Sequence, residues 1–187
     1  AAAAQMKEEA VNFQLVGFND LQGRSAYQPT IHQQGNRWIA YVGFHGERPI
    51  LNPLNGQMEE NGTMIIDVTD PKKPVEKALI PSPGTGQSQM VRMCLGSQLP
   101  GGTPGKVYLL RNATNPSGYQ VYDVTDVTAP VLKSALPGIR STHKPWWECN
   151  TGIAYLPGSK AAPAPLWRTS QSMVIVDWSN PTAAPTY

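Results

Sequence analysis

Three imidazoles, three evenly spaced carboxylates and two thiols are the side chains of this sequence whose types could carry chemistry. His32, His45 and His143 are its full set of histidines. His32 and His143 fall beside segments expected to be the innermost strands of their units, where both would face a central channel with Arg92 or Trp146. Neutral imidazoles gathered in a channel suit copper or iron, and with nearby Asp or Cys they would make the centre of a metal-dependent oxidase or hydrolase. No two of the histidines stand at a ligand spacing, however, and the plainer reading is imidazoles that are solvated or singly hydrogen-bonded. Cys94 with a distant histidine would be a nucleophile pair, yet neither a G-x-S-x-G elbow nor a G-x-G-x-x-G or G-x-x-x-x-G-K-[ST] loop occurs. The residues assign no catalytic, cofactor-binding or metal-ligating position.

The carboxylates belong to a repeat. TMIIDVTDPKKP (63–74), YQVYDVTDVTAP (119–130) and MVIVDWSNPTAAP (173–185) each run from apolar strand formers through Asp, an apolar residue, Thr or Ser, and Asp or Asn to a Pro turn. Asp67, Asp123 and Asp177 are thus 56 and 54 residues apart, a period that marks a repeat architecture. A short carboxylate at the end of a strand can accept bonds from the N–H groups of the turn that follows. One Asp per repeat therefore reads as a structural device, and Asp70, Asp126 and Asn180 read the same way.

Cys94 and Cys149 are separated by 55 residues, one repeat length. Equivalent residues on neighbouring units can face each other, so a Cys94–Cys149 disulfide is one outcome and two buried thiols are the other. Trp146 and Trp147 are adjacent in a strand-like stretch, where side chains alternate. One is expected in the core and the other on a surface, where it could stack on a sugar or anchor an interface.

Each unit holds four strand-like runs. VNFQLVGF (11–18), YQPTIH (27–32), RWIAYVGF (37–44) and MIIDV (64–68) form the first, and KALIP, QMVRMC, KVYLLRN and YQVYDV the second. LKSALP, KPWWEC, TGIAYLP and SMVIVDW follow in the third. Runs of four to seven residues between Gly, Pro and Asn turns are short strands. No window keeps apolar residues at i, i+3, i+4 and i+7, so no long helix is expected. Four strands in about 55 residues fit a β-propeller blade, the extra length lying in loops at 45–62 and 96–105. The fold class expected is all-β, with about three four-stranded blades.

The apolar strand, Asp, Val or Trp, Ser or Thr, Asp or Asn, and Pro resemble the LVIVD repeat of bacterial, mostly exported, β-propeller proteins, over nearly all the chain from about Phe13. The resemblance implies export and a propeller fold, and it implies no reaction. Three signatures are fewer than a propeller ring needs. VNFQLVGF corresponds to the outermost strand of a blade with no inner strands upstream. The expectation is an incomplete or partner-completed propeller spanning 11–187, behind a flexible tail at 1–10 that begins with small residues like those left after signal cleavage.

Pro 18 and Gly 17 accord with many tight turns, while a net charge of +2 with charged residues at 15% offers no basic patch for nucleic acid. No apolar run is long enough for a membrane span. The expected function is an exported binding or structural module mediating protein–protein association in a larger assembly, in the periplasm or outside the cell. The alternative is the metal-dependent enzyme with a channel site near His32 and His143.

Overall fold

The computed structural model describes residues 11–46, 48–82, 88–114, 117–160 and 172–186. The protein is all-β. Its first sheet has the order β1 (Ala26–Gln34), β2 (Arg37–Phe44), β5 (Gly62–Asp67), β6 (Val75–Pro81). A hairpin of β3 (Ile50–Asn52) and β4 (Gln57–Glu59) interrupts it between β2 and β5. The second sheet is a meander of β7 (Val91–Leu95), β8 (Val107–Thr114), β9 (Ser117–Asp123) and β10 (Val131–Pro137). In the third, β11 (Ile139–Arg140) and β12 (Trp146–Trp147) share one edge of β13 (Ile153–Lys160), and β14 (Ser172–Asp177) pairs with the other. All pairs are antiparallel, as short turns between sequential strands require. The one helical element among the described residues is a 3-10 turn at Leu21–Gly23.

The sheets lie face to face. Ile39, Tyr41, Ile65, Ala78 and Ile80 of the first share a buried cluster with Val91, Met93, Val107 and Leu109 of the second. The opposite face of the second sheet, with Tyr108, Leu110, Tyr119, Val121 and Leu136, shares one with Trp147, Ala154, Leu156, Val174 and Val176 of the third. Central strands β2 and β8 are therefore buried along nearly their whole length. That explains why they read as continuous apolar runs and not as an alternation. The remaining face of the first sheet, Ala40, Val42, Phe44, Met64 and Ile66, is also buried, with Leu21 against it. Beside it, buried Arg24 donates to the carbonyls of Ile50 and Glu59 at 3.0 Å each, tying down the β3–β4 hairpin. The strands nearest one another across sheets are β1 and β7, then β7 and β12.

Three sequence expectations need correction. KALIP does not open the second sheet: as β6 it pairs with β5, and LKSALP as β10 pairs with β9. The Asp-to-Pro corner folds each back antiparallel on the strand before it, so every sheet ends one strand later than the repeat order suggests. The stretch at 45–62 is not a plain loop, since it holds the β3–β4 hairpin. Val11–Phe18 is not a strand. It has strand-forming residues and no neighbouring edge to bond with, and propensity without a partner makes no ladder. The expected tail at 1–10 lies outside the described residues.

Candidate functional site

The three Asp corners are built alike. Asp67 Oδ1 accepts from Thr69 N at 3.0 Å, Asp123 Oδ1 from Thr125 N at 3.0 Å, and Asp177 Oδ1 from Ser179 N at 2.8 Å. One step on, Asp70, Asp126 and Asn180 accept from Lys72, Thr128 and Thr182 N at 3.0, 2.9 and 3.0 Å. The middle hydroxyl then reaches the next strand: Thr69 Oγ1 accepts from Trp38 N at 2.9 Å and Thr125 Oγ1 from Val107 N at 3.0 Å. Bonds from Thr69 and Ser179 hold the Asp67 and Asp177 carboxyls below the usual range. At Asp123 burial opposes the charge, but bonds from Thr125 and Lys106 outweigh it and the shift is again downward. Oxygens engaged in this way shape the turn.

The histidines divide. Tyr27 on β1 has the His45 ring 4.6 Å away, edge-on, the His143 ring at 6.5 Å, and the Lys144 ammonium 5.0 Å above it. His143 is held in place by its own backbone N–H, which donates to Tyr119 Oη at 3.2 Å. Burial, with Lys144 and His45 nearby, lowers the His143 pKa. His32 has a different setting: it shares a face of β1 with Thr30, whose hydroxyl donates to Val91 O at 3.2 Å. Burial lowers its pKa too, and its Nδ1 has no hydrogen-bond partner. Among the described residues no three of His, Cys, Asp and Glu come together closely enough to hold a metal. The expected neighbours Arg92 and Trp146 do meet, with the guanidinium 4.8 Å over the indole.

Cys94, in β7, and Cys149, just past β12, form a disulfide with Cα atoms 5.5 Å apart, joining the second sheet to the third at their inner strands. The two tryptophans before Cys149 part as alternation requires. Trp147 is buried and donates from Nε1 to Gly152 O at 3.2 Å, while Trp146 is 51% exposed.

Trp146 leads to the most open apolar surface of the third sheet. It lies opposite Tyr155, Tyr155 lies opposite Ile175, and Pro157 opposite Met173. Trp146, Tyr155, Met173 and Ile175 are all exposed, Met173 to 69%. Lys144, Trp146, Tyr155, Pro157, Ser172 and Met173 line an open cavity of about 370 Å³. Every other sheet face is covered by a neighbouring sheet or by the segments around Leu21. The alternation of Tyr155 with buried Ala154 and Leu156 was visible in the sequence. That its face has no cover was not, because coverage depends on which sheet comes next. A second cavity of about 370 Å³, lined by Arg37, Lys106 and Thr125 among others, lies beside the turns of the first two sheets. There Lys106 is already paired with Asp123 at 3.1 Å.

No family model matches the chain, and no curated protein matches it. Two solved structures are similar to it in part. One is described as a complex of BT0996 and RGII, with 11% identity and a TM-score of 0.43, and the other as a glycoside hydrolase, with 13% identity and a TM-score of 0.44. Each match covers 82% of this chain and 53% of the other. The chain thus spans about half the length of these structures. Likeness at that level assigns no activity.

Proposed function

We propose that this chain is an exported, β-propeller-type binding module of the LVIVD kind, and that it works by holding another protein against the uncovered face of its third sheet. The observation that carries the reading is the contrast between equivalent surfaces. The faces of the first and second sheets are buried, whereas Trp146, Tyr155, Met173 and Ile175 stand in solvent beside one another. Contiguous exposed apolar groups, aromatic ones above all, mark interaction surfaces. Lys144 and Arg92 at the rim favour a partner with acidic groups there. Repeated four-stranded units, the shared Asp corners and neighbouring inner strands support the propeller arrangement. The inter-sheet disulfide supports an oxidising compartment.

Placing a benzophenone side chain at Met173, and separately at exposed Val75 in the first sheet, tests this in cells that make the protein. Irradiation should yield a protein adduct at 173 that weakens when Trp146→Ser is added, with none at 75. Irradiation that captures no protein at 173 would reject the reading.

A further inference from the structure

The unpaired edge of β14 and the unpaired segment at 14–18 complete each other. In the first sheet β5 carries β6 on its outer edge, with Asp67 opposite Val75 and Ile65 opposite Ala78. In the second, β9 carries β10, with Asp123 opposite Val131 and Val121 opposite Ser134. The third sheet starts the same ladder: Asp177 N donates to Thr186 O at 2.8 Å and Thr186 N donates to Asp177 O at 3.0 Å. Among the described residues nothing continues it. Because outward main-chain groups recur every second residue, the N–H and C=O of Ile175 and Met173 face that edge without a ladder partner.

QLVGF, residues 14–18, resembles KALIP of β6 and KSALP of β10 in its place in the repeat. Its surroundings match as well. Val127, in the corner of the second sheet, shares a buried cluster with Ala78 and Ile80 of β6. The equivalent Pro181, in the third corner, accepts from Ser134 Oγ of β10 at 2.8 Å. The equivalent residue of the first corner is Pro71, and Gly17 packs on it so closely that a Cβ would stand 1.8 Å from Pro71 O. Each outer strand thus leans on the corner of the next sheet, and 14–18 sits where the outer strand of a preceding sheet belongs. Leu15, Val16 and Phe18 are meanwhile exposed.

We propose that the outer edge of β14 in one copy pairs with residues 14–18 of a second copy, adding a fourth strand to the third sheet. This deepens the reading above, on which it rests, by naming the partner. Antiparallel addition exchanges main-chain bonds and seats alternate side chains. The registers of β6 and β10 set Leu15 opposite Ile175 and Gly17 opposite Met173. Pairing leaves 14–18 against Pro71 and brings the donor copy's β3–β4 hairpin, with exposed Leu51 and Met58, towards the uncovered face. A contact between different surfaces of identical chains closes into a ring where the rotation allows.

Sedimentation over a wide concentration range, under non-reducing conditions, tests this on the full chain. The expected result is reversible self-association that Val16→Pro and Ile175→Pro each abolish. Val16 makes no ladder bond within one chain, so Val16→Pro should leave melting of the dilute monomer unchanged and separate pairing from folding. A chain monomeric at every concentration, or association indifferent to Val16→Pro, would overturn the proposal. An adduct to a different protein at 173 with a monomeric chain would remove this inference and leave the docking face standing. No adduct and no association would remove both.

Discussion

Arg111 of the second sheet donates from Nη1 to the carbonyl of Ile80, at the end of the first sheet, at 2.8 Å. Nη2 donates to Pro81 O at 2.9 Å, and Nε and Nη2 both reach Gln120 Oε1. The side chain is 1% exposed, and burial lowers its pKa. No carboxylate meets it in these bonds, so neutral oxygens from two sheets together offset the loss of water. Arg111→Lys should destabilise the protein by about 2–4 kcal/mol, because a single ammonium cannot span the forked set of acceptors. Arg111→Met should cost a similar amount by leaving Ile80 O and Gln120 Oε1 unmet. Urea unfolding followed by tryptophan fluorescence measures both, and a change below about 0.5 kcal/mol would deny the inter-sheet role.

The disulfide closes a loop across two sheets with a sequence separation of 55. A loop of that length predicts a loss of roughly 4 kcal/mol in the Cys94→Ser, Cys149→Ser double variant. The urea midpoint should fall accordingly, and reduction of the native chain should lower it by a similar amount.

Trp146 and Trp147 should differ sharply when truncated. Trp147→Ala empties a site that is 3% exposed and should cost about 3–5 kcal/mol, whereas Trp146→Ala removes a half-exposed ring and should cost under about 1 kcal/mol in the dilute monomer. Equal losses in thermal melts would mean that the face carrying Trp146 is covered within a single chain.

The corner carboxylate needs its oxygen more than its charge. Asp123→Asn keeps the acceptor for Thr125 N and should cost less than Asp123→Ala, for which about 1–2 kcal/mol is expected. Asn180 already fills the second corner position in the third repeat, accepting from Thr182 N at 3.0 Å. Equal effects of the two substitutions on the melting temperature would argue against this account.

Acid should weaken the fold in two stages. The folded-state pKa values of His32 and His143 lie below those of the unfolded chain, so between the two the unfolded state binds more protons. Stability therefore rises with pH in that window and is lost as pH falls below about 6.5. The lowered carboxyls of Asp67, Asp123 and Asp177 add a second loss below about 4. His32→Gln should flatten the first slope in chemical unfolding measured from pH 7.5 to 5, and an unchanged slope would dismiss His32 as its source.

The sequence by itself determined the Asp corners, the strand-rich class and the division of Trp146 from Trp147. These follow from bonds between residues two apart and from the alternation of side chains along a strand, both of which are local. It permitted a disulfide between Cys94 and Cys149 through their equal places in the repeat and left two free thiols open. Only the 5.5 Å approach of their Cα atoms decided between them. Tertiary structure alone assigned KALIP to the first sheet, left Val11–Phe18 outside any ladder, and set His143 near Tyr27 and His45. It also left Trp146, Tyr155, Met173 and Ile175 uncovered. Whether a strand pairs or a face is buried depends on the neighbour that arrives beside it, and a residue's own type and spacing carry no record of that neighbour.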